Sequence, residues 1–257
     1  MEFQGAGTPL SASGLAKGFD LLTVGPAEVW AVLTVETGTC GFLGDRRPSI
    51  LFEQHIFHQQ TGGKFDSTAP DISNKTPGNY GARGGHQYDR LMRAAALDRK
   101  SALLSASWGI GQVMGFNTGI AGYADVESLV KAMSESEDNQ LLATANEIKR
   151  NNLDGALRSH DWADFARGYN GPNYKINKYD LRLAAGYAKY ATGLLPDLDV
   201  RAAQLYLTYL GYAPGPIDGV AGRFTQSALQ QFQLKSGTQL TGQVDIDALN
   251  ALRAAII

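Results

Sequence analysis

The sequence predicts a mainly α-helical protein of the α+β class, with a small irregular or β lobe and a short helical module at its C-terminal end. Apolar residues recur at helical spacing through most of the chain. Residues 39–88 depart from this pattern, because Gly, Pro, Asn and Asp are frequent there. A second change follows at residues 192–199, where Gly and Pro interrupt the helical spacing. These observations divide the chain into a helical body, a lobe inserted within it, and a terminal module.

The N-terminal part begins with two predicted helices. Apolar residues three to five apart over residues 9–22 indicate a short amphipathic helix opened by Ser11 or Ser13. Pro26 suits the first turn of a second helix, which we expect to be closed by Gly38. In the lobe, the apolar run at residues 50–57 predicts a strand or a buried helical turn. Helical spacing then returns in five segments, at residues 88–104, 126–133, 138–151, 162–166 and 181–195.

The terminal module is predicted to contain three helices, at residues 200–210, 223–232 and 246–255. We place the boundary near residue 197, which gives one domain at residues 1–195 and a second at residues 198–257. The module has four basic and four acidic side chains. It therefore carries no net charge that would attract a polyanion.

Composition excludes several classes of protein. The 257 residues include 23 Lys and Arg against 25 Asp and Glu, and a net charge of −2 does not favour a nucleic-acid partner. The best apolar run, at residues 29–35, is too short for a membrane span and ends at Glu36. The single cysteine, Cys40, cannot form an intrachain disulfide. The first residues lack the basic start and apolar stretch of a secretory signal, so we expect none.

Glu36 is the first candidate catalytic residue. It lies in the last turn of the second predicted helix, four residues after Val32 and three after Leu33, so apolar side chains share its face. Burial beside them and the negative end of the helix dipole both raise the pKa of such a carboxyl. A raised pKa is what a general acid needs near neutral pH. A capping or salt-bridged glutamate at the surface is the alternative interpretation.

A second candidate cluster consists of Glu53, His55 and His58. In an extended strand Glu53 and His55 share one face, so a carboxylate and an imidazole point into the same cleft. A zinc site is one alternative, although the spacing matches no recurrent zinc motif. A histidine that only bonds a neighbouring carboxylate is another. Cys40 paired with a histidine would suggest a cysteine peptidase or amidase, but a lone cysteine beside small residues is more often a packing residue.

Two further segments are candidates for binding substrate. Residues 107–115, SWGIGQVMG, have glycines two apart beside Trp108 and Gln112, which suits a backbone lining a groove. Close helix packing is the alternative. Residues 165–174 end a helix in a Gly/Pro turn, where Tyr169 and Asn170 can stack on and hydrogen-bond a sugar, or act as ordinary turn residues.

The order of these features resembles the lysozyme superfamily, as in goose-type lysozymes and soluble lytic transglycosylases. Their pattern is a helix-terminal Glu-Ser, a Gly-Leu-Met-Gln-like stretch and an Ala-Tyr-Asn-like stretch, to which Glu36-Thr37, residues 109–112 and Tyr169-Asn170 correspond. The closer resemblance, over residues 9–192, is to the N-acetylmuramidase family of phage endolysins. That family carries VET-x-x-x-GF, RP-x-ILFE-x-H-x-F, SWG-x-x-Q-x-MG and FA-x-x-YNGP-x-Y, and all four stretches are present. The resemblance implies a lysozyme-like helical catalytic domain.

The terminal module resembles the peptidoglycan-binding domain 1 family. The residues that follow its pattern are Gln204, Leu207, Leu210, Gly211, Tyr212, Asp218, Gly219, Gly222, Thr225, Ala228, Phe232, Gln233, Thr241, Gly242 and Leu249. Such modules bind cell-wall glycopeptide without catalysing a reaction. The wall-binding residues are expected to be Asp218, Gly219, Arg223 and Phe224, with the contact face near Arg223 and Phe224.

Together the two resemblances imply an endolysin that cleaves the β-1,4 bond between N-acetylmuramic acid and N-acetylglucosamine in bacterial peptidoglycan. Glu36 is expected to protonate the glycosidic oxygen. The interval between this acid and the Gly-x-x-Gln stretch is longer than in goose-type lysozymes, so the lobe must supply its own second carboxylate. Glu53, oriented by His55, is the leading choice for the base, and Asp66 and Asp71 are alternatives.

The resemblance also implies substrate contacts at Trp108, Gly109, Gln112, Tyr169 and Asn170. No cofactor and no metal ion are expected. Three alternatives stay open: a lytic transglycosylase acting on the same bond, a zinc amidase or peptidase using the histidines of the lobe, and a catalytically silent wall-binding protein. We expect a monomer that is made in the host cytoplasm and acts in the periplasm and cell wall, with a holin-type factor for its release.

Overall fold

The computed structural model describes residues 2–38 and 40–256, and Thr39, where the lobe is predicted to begin, lies outside them. The helices are, in chain order, α1 Ala12–Leu22, α2 Pro26–Thr37, α3 Gln54–Thr61, α4 Gly85–Leu104, α5 Thr118–Ala121, α6 Val126–Glu135, α7 Glu137–Arg150, α8 Asp154–Arg158, α9 Trp162–Asn170, α10 Tyr179–Thr192, α11 Leu198–Tyr209, α12 Arg223–Ser236 and α13 Ile246–Ile256. Short 3-10 helices span Gly115–Asn117 and Tyr174–Asn177, and the strands are β1 Ile50–Phe52, β2 Ala106–Trp108 and β3 Val113–Met114. The predicted class, mainly helical with a small β lobe and a helical C-terminal domain, is confirmed.

The ends of the first two helices agree with the sequence. The Ser11 hydroxyl accepts a hydrogen bond from the Gly14 N–H, so Ser11 rather than Ser13 caps α1. Pro26 begins α2, and Gly38 ends it at a φ of 67°, a left-handed conformation that glycine adopts without strain. Half of the residues of α2 are buried, in one run from Val29 to Leu33 and at Val35. It is therefore a central helix whose last turn carries Glu36.

No single helix among the described residues is long and apolar enough to cross a membrane. Helices α1 and α2 reach the length and apolar composition of a membrane span only when they are counted together, and they are bent by 104° relative to each other.

The lobe contains an antiparallel sheet in the order β1-β2-β3. The apolar run predicted as one element is divided at Glu53, because β1 ends at Phe52 and α3 begins at Gln54. Glu53 has an extended backbone and forms the N-cap of α3. Phe52 and Phe57 are both fully buried, so this short run provides the core with one strand residue and one helix residue.

The helical body brings α2, α9 and α10 together. A Cβ on Gly186 of α10 would lie 3.2 Å from the Ala31 Cα, so the glycine allows the α2 and α10 backbones to approach closely. Helix α9 extends to Asn170, beyond its predicted end at residue 166, and α10 ends at Thr192 rather than residue 195. As a result Tyr169 and Asn170 lie in the last turn of α9 and not in the Gly/Pro turn that follows it.

The three C-terminal helices enclose a core of their own, which includes Ala203, Tyr206, Leu207, Ala228, Leu229, Phe232, Leu249 and Leu252. The Tyr209 hydroxyl at the end of α11 donates to the Gly7 carbonyl at 2.8 Å. This helix therefore lies against the N-terminal segment of the chain.

A fully buried ion pair joins the C-terminal helices to the body. Arg201 of α11 donates through both terminal nitrogens to the carboxylate of Glu137 on α7, and the Nη2–Oε1 distance is 2.7 Å. Neither side chain has exposed surface. Glu137 also accepts hydrogen bonds of 2.8 Å from the backbone N–H groups of Leu10 and Gly41. One carboxylate thus connects α7, α11, the N-terminal segment and the loop that follows α2.

Candidate active site

Glu36 lies half-buried in the last turn of α2, close to α9 and α10. Its Oε1 accepts a 2.9 Å hydrogen bond from the Asn170 Nδ2. Arg182 of α10 donates to the Val35 carbonyl at 2.7 Å and directs its positive charge towards the Glu36 carboxyl. Burial dominates and raises the pKa of Glu36 to about 7, against the opposing effects of Asn170 and Arg182. The carboxyl can therefore hold a proton near neutral pH.

Glu147 is a second carboxyl in this site, and the sequence analysis missed it. It lies half-buried in the last turn of α7, where its Oε1 accepts a 2.6 Å hydrogen bond from the Asn117 Nδ2. Burial raises the pKa of Glu147 to about 7, the Asn117 bond opposes this shift, and the charge of Glu36 adds to it. Glu147 shares a helical face with Gln140 and Thr144. That shared face is the signal in the sequence that could have identified it.

Tyr169 is a third titratable group on which the charges of both carboxyls act. Its hydroxyl donates to the Gly111 carbonyl at 2.7 Å, and its ring stacks on Phe165 with centroids 5.5 Å apart. Burial, followed by the charges of Glu147 and Glu36, raises the pKa of the phenol well above its ordinary value. The hydroxyl therefore remains a proton donor, and α2, α7 and α9 together form one site with two buried acids.

The glycine-rich segment after Trp108 forms the turn between β2 and β3 and packs against α7. A Cβ on Gly111 would lie 2.0 Å from the Thr144 Oγ1, so only glycine fits there. The Ile110 N–H donates to the Gln140 Oε1 at 2.8 Å. Gly109 is buried in this turn with a φ of 73°. Its predicted role in substrate binding is therefore corrected to a role in shaping the turn.

The side chain of Trp108 is enclosed in the core of the lobe. It has no exposed surface, and its Nε1 donates to the Leu103 carbonyl at 3.2 Å. The prediction that Trp108 contacts substrate is wrong, because an enclosed ring cannot stack on a sugar. Gln112 accepts from the Ser107 hydroxyl at 2.8 Å and donates to the Gly109 carbonyl at 2.9 Å. Its amide stabilises the turn, and a contact with substrate stays a prediction.

Glu53 and His55 are neighbours, but not for the predicted reason. Glu53 is the N-cap of α3 and His55 lies in the first turn, so they do not share the face of a strand. The Glu53 Oε2 and His55 Nδ1 lie 3.2 Å apart, and both atoms are buried without a hydrogen-bond partner among the described residues. Burial raises the pKa of Glu53, opposed by the Tyr80 hydroxyl and the charge of Arg90, and burial lowers the pKa of His55. Unsatisfied buried polar atoms of this kind are where ordered water binds.

Two tyrosines connect Glu53 with Glu36. Tyr80 contacts Glu53, and Tyr179 of α10 interacts with both Tyr80 and Glu36. Burial raises the pKa of Tyr80 to about 12 and raises the pKa of Tyr179 above its ordinary value. Both phenols are therefore protonated near neutral pH. They link a buried acid of the lobe to a buried acid of the body.

The two aspartates considered as alternative bases are engaged elsewhere in the lobe. Asp66 accepts from the Ser73 hydroxyl at 2.6 Å and contacts the His58 Nδ1 at 2.8 Å, and these bonds hold the pKa of Asp66 below its usual range. Asp71 forms an ion pair of 2.6 Å with Arg93, which lowers the pKa of Asp71. No three His, Cys, Asp or Glu side chains within the described part of the chain are grouped to hold a metal ion. Glu53, His55 and His58, which were considered for zinc, therefore do not form a group that could hold the ion.

The Cys40 thiol donates to the Phe42 carbonyl at 3.2 Å. Burial, reinforced by the charge of Glu137, raises the pKa of Cys40 to about 12. Each of the four histidines contacts a carboxylate instead of the sulfur. A reactive cysteine–histidine pair is therefore not formed.

The predicted wall-binding residues separate into two groups. The Asp218 carboxylate accepts from the Gln204 side chain at 3.2 Å and from the Val220 N–H at 3.0 Å, and Gly219 is buried with a φ of 74°. Both residues shape a turn. Gly219 is enclosed in it, which corrects the expectation that Gly219 contacts the wall, whereas a contact between the partly exposed Asp218 and the wall stays a prediction. Arg223 lies over the ring of Phe224 at 4.7 Å, and 54% of Phe224 is exposed. This pair is available to a ligand.

Comparisons with known proteins show which families the two parts of the chain match. The family model described as N-acetylmuramidase matches residues 25–191, and the model described as a putative peptidoglycan binding domain matches residues 196–252. Among solved structures, an endolysin of the Burkholderia phage AP3 is 38% identical with a TM-score of 0.65, over 71% of this chain and 70% of that chain. No curated protein matches the sequence. The resemblances found in the sequence are confirmed. Because the first model covers more than half of its length, the chain belongs to the N-acetylmuramidase family and carries a C-terminal peptidoglycan-binding domain.

Proposed function

We propose that the chain is an endolysin that hydrolyses the β-1,4 bond between N-acetylmuramic acid and N-acetylglucosamine, with Glu36 as the general acid. The observation that carries this proposal is the half-buried carboxyl of Glu36, whose pKa is raised to about 7 and whose Oε1 accepts a hydrogen bond from Asn170. A carboxyl that keeps its proton at neutral pH can protonate a glycosidic leaving group. The family assignment supports peptidoglycan as the substrate.

Glu53 is the proposed general base on the lobe side of the site. Its buried Oε2 lacks a hydrogen-bond partner among the described residues, which supports a role in holding a water molecule. In the reaction the Glu36 proton passes to the glycosidic oxygen, and the bond between that oxygen and the anomeric carbon breaks. The water oxygen bonds to the anomeric carbon, and the water proton passes to Glu53. His55, kept neutral by burial, orients the Glu53 carboxylate.

Asn170 has a second role in this proposal, which is to contact the substrate. Its amide donates to Glu36, and its buried Oδ1 has no hydrogen-bond partner within residues 2–38 and 40–256. An N–H or O–H group of the sugar would satisfy that oxygen. The neighbouring Tyr169 and the partly exposed Gln112 complete the proposed contacts.

The organisation of the chain follows from the same proposal. Residues 1–195 form the catalytic unit and residues 198–257 the wall-binding unit, in which Arg223 and Phe224 provide an exposed cation and ring. We further propose that the protein is a monomer made in the host cytoplasm. A holin-type factor then gives it access to the wall.

The test is digestion of purified peptidoglycan, with the released fragments analysed by mass spectrometry. The wild type should produce reducing muramic ends, and Glu36→Gln should release at least about a hundredfold less product. Glu135→Gln is the matched control, because Glu135 is an exposed glutamate at the end of α6. This variant should digest peptidoglycan like the wild type. Anhydro-muramic ends would instead identify a lytic transglycosylase, and new free amino groups an amidase or peptidase. Full activity of Glu36→Gln would remove Glu36 from the mechanism.

A further inference from the structure

A buried arginine of the C-terminal domain binds the same carboxylate that holds the chain shortly after Glu36. Arg201 of α11 donates through both terminal nitrogens to Glu137 on α7, and the Nη2–Oε1 distance is 2.7 Å. The same Oε1 accepts a 2.8 Å hydrogen bond from the Gly41 N–H. Neither side chain of the ion pair has exposed surface. Arg201 therefore cannot touch the cell wall, although it lies within the peptidoglycan-binding domain.

Gln140, in the next turn of α7, extends these contacts to the end of α2. Its side chain is fully buried, and its Oε1 accepts a 2.8 Å hydrogen bond from the Ile110 N–H. The Ile110 carbonyl accepts in turn from the Thr37 hydroxyl at 3.0 Å. Thr37 directly follows Glu36 in the sequence. The last turn of α2 is therefore attached to α7 through the glycine turn.

The loop after α2 lies against the same two side chains of α7. A Cβ on Gly41 would lie 1.8 Å from the Gln140 Oε1, so only glycine lets the loop pass this close. Glu137 holds the Gly41 N–H at the same place. Thr37 and Gly41 are one and five residues after Glu36, so the chain is anchored at two points just beyond the acid. Both anchors depend on where α7 places its side chains.

We propose that Arg201 is a positioning residue for the general acid, and that the C-terminal domain thereby forms part of the active-site scaffold. This inference rests on the proposed role of Glu36. Without the guanidinium, Glu137 would be an uncompensated buried charge, and its carboxylate would move to find other donors or water. Such a movement would loosen the loop at Gly41 and the end of α2 with it.

The expected consequence is a slower chemical step and not weaker binding. A general acid must lie within hydrogen-bond reach of the leaving oxygen, so a displacement on the order of 1 Å lowers the rate. Arg201 itself contacts neither the substrate nor the wall, because its side chain is fully enclosed. A role in stability alone predicts the opposite result, which is that any folded variant cleaves as fast as the wild type.

The experiment measures cleavage of peptidoglycan strands solubilised by sonication, with the full chain carrying Arg201→Met at a temperature where circular dichroism shows it folded. We expect kcat to fall about tenfold and KM to stay within about twofold of the wild type. Arg201→Lys keeps a positive charge beside Glu137 and should restore kcat to within about threefold. Arg253→Met, at an exposed arginine of α13, is the matched control and should leave kcat unchanged. Sedimentation with isolated walls should show unchanged binding by Arg201→Met.

Thr37→Val tests the other end of the same contacts with a smaller change. It removes the hydroxyl that donates to the Ile110 carbonyl and should lower kcat about threefold without raising KM. Combined with Arg201→Met, it should lower kcat by less than the product of the two single effects, because both changes loosen the same segment.

Wild-type kcat in folded Arg201→Met would overturn the proposal. If that variant does not fold, wild-type kcat in Thr37→Val would overturn it. A higher KM with unchanged kcat would also overturn it, because that result assigns Arg201 to binding. Each of these results leaves the proposed function intact if Glu36→Gln is inactive, whereas an active Glu36→Gln would overturn the proposed function itself.

Discussion

Arg201→Ala removes one half of the buried ion pair between α11 and α7. The Glu137 carboxylate then loses both guanidinium hydrogen bonds but stays in the interior, where it retains the N–H groups of Leu10 and Gly41. We expect the whole chain to unfold more easily, because an uncompensated buried charge is poorly solvated. The effect should reach both domains, since Glu137 contacts segments of each.

The size of the effect follows from the burial of the pair. Both side chains have 0% exposure, so the surface value of less than about 1 kcal/mol does not apply. Removing one partner of a fully buried pair costs about 3–5 kcal/mol. For a chain of this length each kcal/mol lowers Tm by about 2–4 °C, so Arg201→Ala should lower Tm by about 10 °C.

The measurement is thermal and urea unfolding of the wild type, both single variants and the double variant Glu137→Gln with Arg201→Ala. The double variant should be more stable than the sum of the single losses predicts, because each single variant leaves a buried group unpaired. Arg253→Ala, an exposed arginine on α13, is the matched control and should change stability by less than about 0.5 kcal/mol. A loss below about 1 kcal/mol in Arg201→Ala would refute the reasoning.

Three more predictions concern a buried acid, a close backbone contact and an exposed ring. The pKa of Glu36 rises from 4.5 to about 7 on folding, so the free energy of unfolding of the wild type should fall as pH rises through this range. In thermal unfolding, Glu36→Gln should be more stable than the wild type by up to about 3 kcal/mol at pH 8 and should differ little from it at pH 4. Gly111→Ala brings a Cβ to 2.0 Å from the Thr144 hydroxyl and should lower the free energy of unfolding by about 2 kcal/mol in urea titrations. Phe224→Ala removes an exposed ring and should weaken binding to isolated cell walls about tenfold in a sedimentation assay.

Each of these has a matched comparison in the same chain. Glu135→Gln should show no gain in stability at pH 8, and an equal gain in both variants would contradict the burial of Glu36. Gly119→Ala meets no atom within 4 Å and should be tolerated, so equal losses at the two glycines would argue against the contact with α7. Leu234→Ala, also exposed on α12, should bind walls like the wild type. Unchanged binding by Phe224→Ala would exclude that ring from the contact face.

Local features of the sequence were sufficient to predict Glu36 as a buried acid. The signals are all short-range: a proline at the start of α2, a glycine after the end of α2, and apolar residues one turn before Glu36. Burial raises the pKa of Glu36, as the sequence predicts. The C-terminal helices were predicted for the same reason, since their apolar spacing is regular. Such signals depend on neighbours within one or two helical turns.

Features that depend on distant parts of the chain were not predictable. Glu147 is more than one hundred residues from Glu36, and nothing in its own helix states which element it will face. Trp108 was misassigned because a three-residue strand does not reveal that both of its faces are covered. Glu53 and His55 are neighbours, as the sequence predicts. A short apolar run does not show, however, whether a strand continues through it or stops where a helix begins, as the chain does at Glu53.

The helical face that carries Gln140, Thr144 and Glu147 limits where the enzyme can be engineered. Because this face both holds the glycine turn and carries the Glu147 carboxyl near Glu36, substitutions across it would disturb the turn and the charges around Glu36 at the same time. Leu234 and Ile246 are 76% and 69% exposed on the C-terminal helices. Polar replacements at these two positions would improve solubility without disturbing the cleavage machinery.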